Sequence, residues 1–225
     1  MNKRAGLTKN IKGITFVELL ISLIVVSIMV LSFYSLETYG HRQVMIADRR
    51  VKVQNDLAYA LEHMAKYVQQ ASGNLSKKAI QYYPNPANAA TATGFRVYVD
   101  LNSTQTPSVF TDDGWIDYDL FNSNTLRATC TANGGTCPFT SPEYLSYKII
   151  SGVVGNTTMP VSPTNGFYVL VGSLGNFVDV GLVGLYDPNK PISNTGVNPV
   201  TRKTEFVNPQ VAMKTKIICN SSSSN

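Results

Sequence analysis

The first position at which this sequence offers chemistry is an acid placed among apolar residues. Glu18 follows the segment ITFV at positions 14–17 and precedes residues 19–36, LLISLIVVSIMVLSFYSL, which contain no charge, glycine or proline. A carboxylate inside lipid is costly, and where one occurs it usually has a partner and a function. We therefore expect Glu18 to pair with an opposite charge.

The apolar run beside Glu18 has the length of a membrane span. Its 18 residues would extend roughly 27 Å as a helix, close to the thickness of the hydrocarbon layer. A core helix of a soluble protein is rarely apolar on every side over this length. A cleaved secretory signal shares the basic start, but this run exceeds a usual signal core and no A-x-A-like site follows it. The sequence favours a membrane helix.

The basic charge of the chain lies mostly before this run. Residues 1–13 hold no acid and four basic residues, namely Lys3, Arg4, Lys9 and Lys12, which orients the N-terminus toward the cytoplasm. Without them, Lys plus Arg falls from 19 to 15 against 14 acids, and the net charge falls from +5 to +1. Four basic residues of the later chain could lie together on adjacent strands and contact phosphate, namely Arg202, Lys203, Lys214 and Lys216. Because Glu205 lies close to them in sequence, no nucleic-acid partner is expected.

Residues 12–20, KGITFVELL, resemble the processing site of prepilins, the precursors of type IV pilins and pseudopilins. In that family a prepilin peptidase cuts after the glycine and methylates the new terminal amine. The acid at the fifth mature position pairs with the N-terminal amine of a neighbouring subunit. The resemblance implies a leader peptide at 1–13, a cut after Gly13, an N-methylated Ile14 and an assembly charge pair made by Glu18. The family most often has phenylalanine where Ile14 stands.

A new ammonium at Ile14 would meet the charge requirement of Glu18. The two groups lie four residues apart, so they can pair within one helix before assembly, and pairing between subunits would fix the axial register. Gly13 has no side chain and leaves the backbone accessible to the peptidase. The expected partners are prepilin peptidase, other pilins or pseudopilins through the helix, and inner-membrane lipid before assembly.

Helical periodicity continues beyond the apolar run. Apolar residues recur at helical steps at positions 44, 47, 51, 57, 61, 64, 68 and 71, and charged residues fill most of the other face. The sequence predicts one helix from about residue 14 to about residue 71. Residues 14–36 form its transmembrane and assembly part, and residues 37–72 form a periplasmic amphipathic part. Gly40 either permits a bend or is tolerated within the helix.

The remaining sequence predicts β-structure. Strands are expected at residues 95–99, 144–150, 167–171, 177–185 and 211–218, separated by Gly, Pro and Asn turns. Strands that follow one long helix imply an antiparallel sheet packed on its C-terminal half, an α+β fold with a β-rich head at 73–219. Residues 220–225 contain only Asn and Ser and are predicted to be disordered.

The three cysteines leave two pairings open. Cys130 and Cys137 flank a short segment with Gly134 and Gly135, which favours a disulfide between them in a periplasmic head. A disulfide between Cys219 and an earlier cysteine is the alternative.

No metal site, cofactor or catalytic site is expected. The only histidines, His41 and His63, fall in the helix, which argues against zinc in the head. Residues 112–119, DDGWIDYD, could bind calcium, but a solvated acidic turn beside an aromatic strand is the preferred interpretation. Trp115 with Tyr118 would form either an adhesive surface or part of the core. The sequence has no G-x-S-x-G, Walker, G-x-G-x-x-G or H-E-x-x-H motif, so no enzyme is expected.

The membrane segment also distinguishes subtypes of the family that the chain resembles. Major pilins commonly carry a helix-breaking proline there, and this chain has none. Residues 56–61 and 68–71, with the final strand, resemble PilW-type minor pilins and J-type minor pseudopilins of type II secretion. We expect a minor pilin that acts in initiation or at the tip of a type IV pilus; a secretion pseudopilin, or a tip adhesin or DNA-binding pilin, is the alternative. The expected location is the bacterial inner membrane, single-pass with a periplasmic head, and then the pilus or pseudopilus.

Replacing Gly13 by leucine should leave uncleaved precursor in the membrane, because the new side chain obstructs the backbone at the cut. Intact-mass measurement should find the wild-type chain starting at an N-methylated Ile14. Gly6→Leu, a change at the other glycine of the leader, should be processed normally. A wild-type chain that still begins at Met1 in filaments would contradict the processing site.

Overall fold

The structure, a computed structural model, describes residues 14–73, 77–86, 92–101, 113–150, 153–155, 166–193 and 207–222. Gly13 with the rest of residues 1–13, Asp112, Arg202 and Lys203 lie outside these ranges, and the predictions made for them stay predictions. The chain divides into two units, residues 1–45 and residues 46–225.

A single long helix, α1 (Phe16–Gln69), supplies the described part of the first unit. Residues 14–41 are all exposed in the single chain, and most of those before Glu37 are apolar. By length and composition this helix could cross a membrane. The observed ends lie within two residues of the predicted ones, which confirms the predicted helix.

Three serine hydroxyls in the apolar stretch are satisfied within the helix. The hydroxyls of Ser22, Ser27 and Ser32 each donate to the carbonyl oxygen four residues earlier, at 2.7–2.8 Å. These bonds remove the need for water at the serine donors, so the stretch remains compatible with lipid. The helix continues through Gly40.

In the second unit α1 becomes amphipathic and buries one face. Its buried residues recur at steps of one, three and four, namely Val53, Leu57, Ala60, Leu61, Met64, Tyr67 and Val68. Residues between them, such as Gln54, Ala58 and Glu62, remain exposed. The apolar stripe determines which side of the helix contacts the sheets.

The β-structure of the second unit forms two sheets and one short pairing among the described residues. The strands are β1 (Ser72–Gly73), β2 (Ile80–Tyr83), β3 (Gly94–Val99), β4 (Gly114–Phe121), β5 (Thr125–Thr131), β6 (Glu143–Ser146), β7 (Val153–Gly155), β8 (Phe167–Val171), β9 (Phe177–Leu185), β10 (Gln210–Ile218) and β11 (Ser221–Ser222). One sheet has the order β2-β3-β4-β5-β6 and the other β10-β9-β8-β7. All pairs are antiparallel except β7–β8 and β1–β11.

Both sheets and the helix share one hydrophobic core. Phe95 on β3 stacks on Tyr118 of β4, with ring centroids 4.9 Å apart, and lies 6.5 Å from the ring of Phe167 on β8. The helix approaches β9 closely at Gly184, where a Cβ would lie 3.1 Å from Val53 and 3.2 Å from Leu57. The unit is therefore α+β, with the C-terminal part of α1 packed on largely antiparallel sheets, as the sequence predicts.

Several strands differ from the sequence prediction. β8 and β9 have the predicted bounds, β3 and β10 begin one residue earlier than predicted, and β6 ends four residues before residue 150. The strands that were not predicted are β1, β2, β4, β5, β7 and β11. β4 was missed because acidic and aromatic residues occupy its alternate positions and its hairpin turns at Asn122 and Ser123 without glycine. Residues 221–222 pair with β1, contrary to the predicted disorder, because the backbone groups of a polar tail can still form a ladder.

Val53→Ala should destabilise the head by about 2 kcal/mol, since it removes two methyl groups from a fully buried position. Val51→Ala is the matched control, because Val51 lies two residues away and is half exposed; its expected effect is within about 0.5 kcal/mol. Denaturant unfolding of the full chain in detergent micelles measures both variants. Equal losses in the two would contradict the observed orientation of the helix.

Candidate functional site

Glu18 lies at the start of α1 in a capping box. Its Oε2 accepts hydrogen bonds from the backbone N–H of Thr15 at 2.8 Å and from the Thr15 hydroxyl at 2.9 Å. The Thr15 Oγ1 in turn accepts a bond from the N–H of Glu18 at 3.3 Å. These reciprocal bonds stabilise the first turn of the helix and fix the carboxylate at the N-terminal end of α1.

The carboxylate of Glu18 retains binding capacity in this arrangement. The bonds from Thr15 use one of its two oxygens, and an ionised carboxylate offers about four acceptor sites. Ile14 and Phe16, on either side of Thr15, are more than 70% exposed in the single chain. A charge with free acceptor sites is therefore surrounded by apolar side chains that have no cover in the single chain.

The comparisons with known protein families, with curated proteins and with solved structures find no match for this chain. The layout of one long apolar N-terminal helix followed by a β-sheet head is compatible with a pilin-like architecture.

The structure decides between the two cysteine pairings. Cys130 and Cys137 form a disulfide with a Cα–Cα distance of 5.9 Å, which closes the segment that follows β5. The Sγ of Cys219 is buried beside the carbonyl oxygen of Ala71, so the alternative disulfide to Cys219 is not formed. Phe139, just after the disulfide, packs on the helix through the rings of His63 and Tyr67.

The interpretation of residues 112–119 as a solvated acidic turn is wrong for its described part. Residues 114–119 belong to β4, and the carboxylates of Asp117 and Asp119 are nearly buried. Asp117 accepts two hydrogen bonds from Arg96 on β3, at 2.6 and 2.8 Å, and Asp119 accepts two from Arg127 on β5, at 3.0 and 2.6 Å. Cross-strand arginines thus use the oxygens that a calcium ion would need.

Burial opposes the charge of Asp117 even though it is paired. Desolvation raises the pKa of this carboxyl above its ordinary value, and the hydrogen bonds from Arg96 oppose that rise only in part. The pKa of Arg96 is raised, chiefly by its bond to Asp117. The two parallel hydrogen bonds therefore hold Arg96 and Asp117 together, because the cost of burying the charges cancels much of their electrostatic attraction.

Trp115 and Tyr118 lie on opposite faces of β4. Tyr118 is fully buried in the core, whereas Trp115 is half-buried on the outer face beside Tyr98, with ring centroids 6.3 Å apart. The two residues therefore do not form a common surface, and only Trp115 is available to a ligand. Of the proposed basic group, Lys214 and Lys216 are exposed on β10.

A buried ionisable group between helix and head was missed at the sequence level. The side chain of His63 is 9% exposed, its Nδ1 lies 3.1 Å from the hydroxyl of Tyr118, and its Nε2 lies 3.5 Å from Glu143. Among the described residues this Nε2 has no hydrogen-bond partner. The signal was present in the sequence as rings at helical spacing on one face of the helix, at Tyr59, His63 and Tyr67.

The surroundings of His63 favour its neutral form. Burial lowers its pKa below the ordinary value of 6.5, Lys66 acts in the same direction, and Glu143 opposes both. Glu143 is itself held by the Tyr59 hydroxyl at 2.7 Å. Protonation of His63 is consequently less favourable in the folded chain than in the unfolded chain.

The head should lose stability as the pH falls from about 7 to about 5.5, because the unfolded chain binds a proton at His63 more readily than the folded chain does. In His63→Phe the decrease should be smaller, measured by denaturant unfolding of the full chain across this range. His41→Phe is the matched control, since the His41 side chain is 76% exposed, and should keep the wild-type dependence. Asp117 has the opposite effect on stability. Because its pKa is raised, the folded chain binds a proton at Asp117 more readily than the unfolded chain does, so falling pH stabilises the head through this group. An unchanged pH dependence in His63→Phe would refute this role.

Proposed function

We propose that this chain is a minor subunit of a type IV pilus, processed by prepilin peptidase and incorporated through its N-terminal helix during initiation or at the tip. The observation that carries the proposal is the exposed apolar helix with one carboxylate at its start. The proposed route begins in the bacterial inner membrane with the head in the periplasm.

The exposed apolar surface of the helix supports a role in assembly. Residues 14–36 expose aliphatic and aromatic side chains on all sides, a surface far larger than a soluble protein leaves open. Lipid can cover this surface before assembly, and the equivalent helices of other subunits can cover it afterwards. Both environments exclude water, so either one satisfies the same apolar side chains.

Glu18 distinguishes an assembly helix from a simple membrane anchor. An anchor has no need of a carboxylate in its apolar part, where the group is costly. The unused acceptor sites of Glu18 suit an N-terminal ammonium from a neighbouring subunit. Pairing the Glu18 carboxylate with that ammonium would remove both charges from lipid. Because the pair can form at only one axial offset of the two helices, it would favour that register.

The minor role is supported by the uninterrupted helix and by the size of the head. α1 runs without a break through the apolar stretch and contains no proline. The head, residues 73–219 in the sequence prediction, carries two sheets in addition to the helix.

Quantitative mass spectrometry of purified filaments should find this chain far below the major subunit. Near-equal amounts would reject the minor role, and recovery only with a protein-secretion apparatus would reassign the chain to a pseudopilus.

Glu18→Gln should be processed normally but should reduce incorporation into filaments by about tenfold or more, because the amide retains the size of the side chain and loses its charge. Immunoblotting of sheared filaments against the membrane fraction measures this ratio. Glu37→Gln is the matched control, as it removes an exposed acid from the same helix, and should assemble like the wild type. Normal incorporation of Glu18→Gln would show that the charge pair is dispensable.

A further inference from the structure

The outer face of the five-stranded sheet carries aromatic rings and ion pairs in an ordered strip. We call this the aromatic strip and define it by the rings of Tyr83, Tyr98, Trp115, Phe121 and Tyr144 and by the pairs Arg96–Asp117 and Arg127–Asp119. Successive residues of a strand alternate between faces, and the intervening residues, such as Phe95, Val97, Ile116 and Tyr118, lie in the core. The strip is therefore the side of the sheet that points away from the core.

Strand register places the charged groups in the middle of the strip. Arg96 is directly opposite Asp117, and Asp119 is opposite Arg127, so the two ion pairs lie across β3, β4 and β5. Tyr98 and Trp115 are opposite each other on one side, and Phe121 with Tyr144 lies on the other, with ring centroids 6.2 Å apart. Rings thus flank a central polar zone.

Stacking and bidentate bonds hold these side chains in place. The guanidinium of Arg96 lies 4.9 Å from the ring centre of Trp115 and 5.4 Å from that of Tyr83, and that of Arg127 lies 4.5 Å from that of Phe121. Each arginine also makes two hydrogen bonds to its carboxylate. Because the groups are already ordered, a ligand would bind without the entropy cost of fixing them.

We propose that the aromatic strip binds a neutral oligosaccharide. Sugar rings present C–H groups on their flat faces, which stack on aromatic rings, and hydroxyls at their edges, which bond to planar polar groups. A guanidinium has five N–H donors, and Arg96 and Arg127 each give two of them to a carboxylate, so N–H donors remain for sugar hydroxyls. The strip offers both kinds of group side by side.

The charge balance selects against other classes of partner. Each arginine of the strip is neutralised by its own aspartate. Lys77, whose Nζ lies 4.7 Å from the ring centre of Tyr98, adds one positive charge, which gives little attraction for the phosphates of a nucleic acid. Protein interfaces generally have an apolar centre and charges at the rim, whereas here the charges occupy the centre and the rings flank them. A chain of uncharged sugars matches this order.

Tyr144 gives the strip its most open end. It is 42% exposed, and its ring lies 5.7 Å from that of Tyr147, which is 60% exposed. These two tyrosines lie in and just after β6, the last strand of the sheet order among the described residues. An oligosaccharide longer than the strip could continue over them at this edge.

The test uses the fluorescence of Trp115, the single tryptophan of the chain. The full chain in a detergent without a sugar headgroup is titrated with hexasaccharides of glucose, N-acetylglucosamine and mannose, and with oligothymidylate as an anionic probe. At least one neutral hexasaccharide should give a saturable change that added salt does not weaken. No change with any hexasaccharide at millimolar concentration would overturn the proposal, as would a salt-sensitive response to oligothymidylate alone.

Substitutions localise the response to the strip. Tyr98→Ala and Tyr144→Ala should each weaken binding by about tenfold, as expected for the loss of one stacked ring. Phe177→Ala is the matched control, since Phe177 is a half-buried strand residue of the other sheet that also has a cation over its ring, Lys216 at 4.0 Å. Circular dichroism of each variant verifies the fold. Equal weakening by Phe177→Ala, or no weakening by either tyrosine variant with the fold intact, would overturn the assignment.

Discussion

The burial of one helix face against two sheets is the interaction on which the head depends. Val53, Leu57, Met64 and Val68 are completely buried, and they contact a core to which both sheets contribute. A sheet with one apolar face must cover it, and the helix covers both sheets at once. The disulfide and the short β1–β11 pairing add local constraints to this core.

The same helix meets two different demands along its length. Up to about residue 41 its side chains are all exposed in the single chain, so the apolar ones among them are not covered by the chain itself. From Val53 onward the apolar residues are restricted to one face, because only that face is covered by the chain itself. The apolar residues thus change from all sides of α1 to one face, and this change separates the part that the chain leaves exposed from the part that the sheets cover.

The ionisable groups of the head differ from Glu18 in the partners that they have within the chain. Asp117 and Asp119 are neutralised by arginines on adjacent strands, which keeps the outer face of the sheet ordered and nearly neutral. Burial under Phe139 and beside Tyr118 lowers the pKa of His63. Glu18 uses only one of its two carboxylate oxygens for the bonds from Thr15, and it is the residue on which the proposed assembly depends.

The sequence by itself determined the elements in which apolar residues recur with a regular spacing. The helix, β8 and β9 were predicted with nearly their observed bounds, because long apolar periods report burial directly. The resemblance of residues 12–20 to a prepilin processing site came from the sequence too, and the roles that it implies for Gly13, Ile14 and Glu18 stay predictions. The Cys130–Cys137 pairing was favoured over its alternative, since a short segment with two glycines can close on itself.

Only the tertiary structure decided which residues from distant parts of the chain meet. The acidic segment was interpreted as a turn because its partners, Arg96 and Arg127, lie on other strands and are invisible in a local window. In the same way, His63 acquires its buried environment from Tyr118, Phe139 and Glu143, all more than fifty residues away. Sequence periodicity reports whether a position is buried, whereas the identity of its neighbours depends on strand register, which long-range packing fixes.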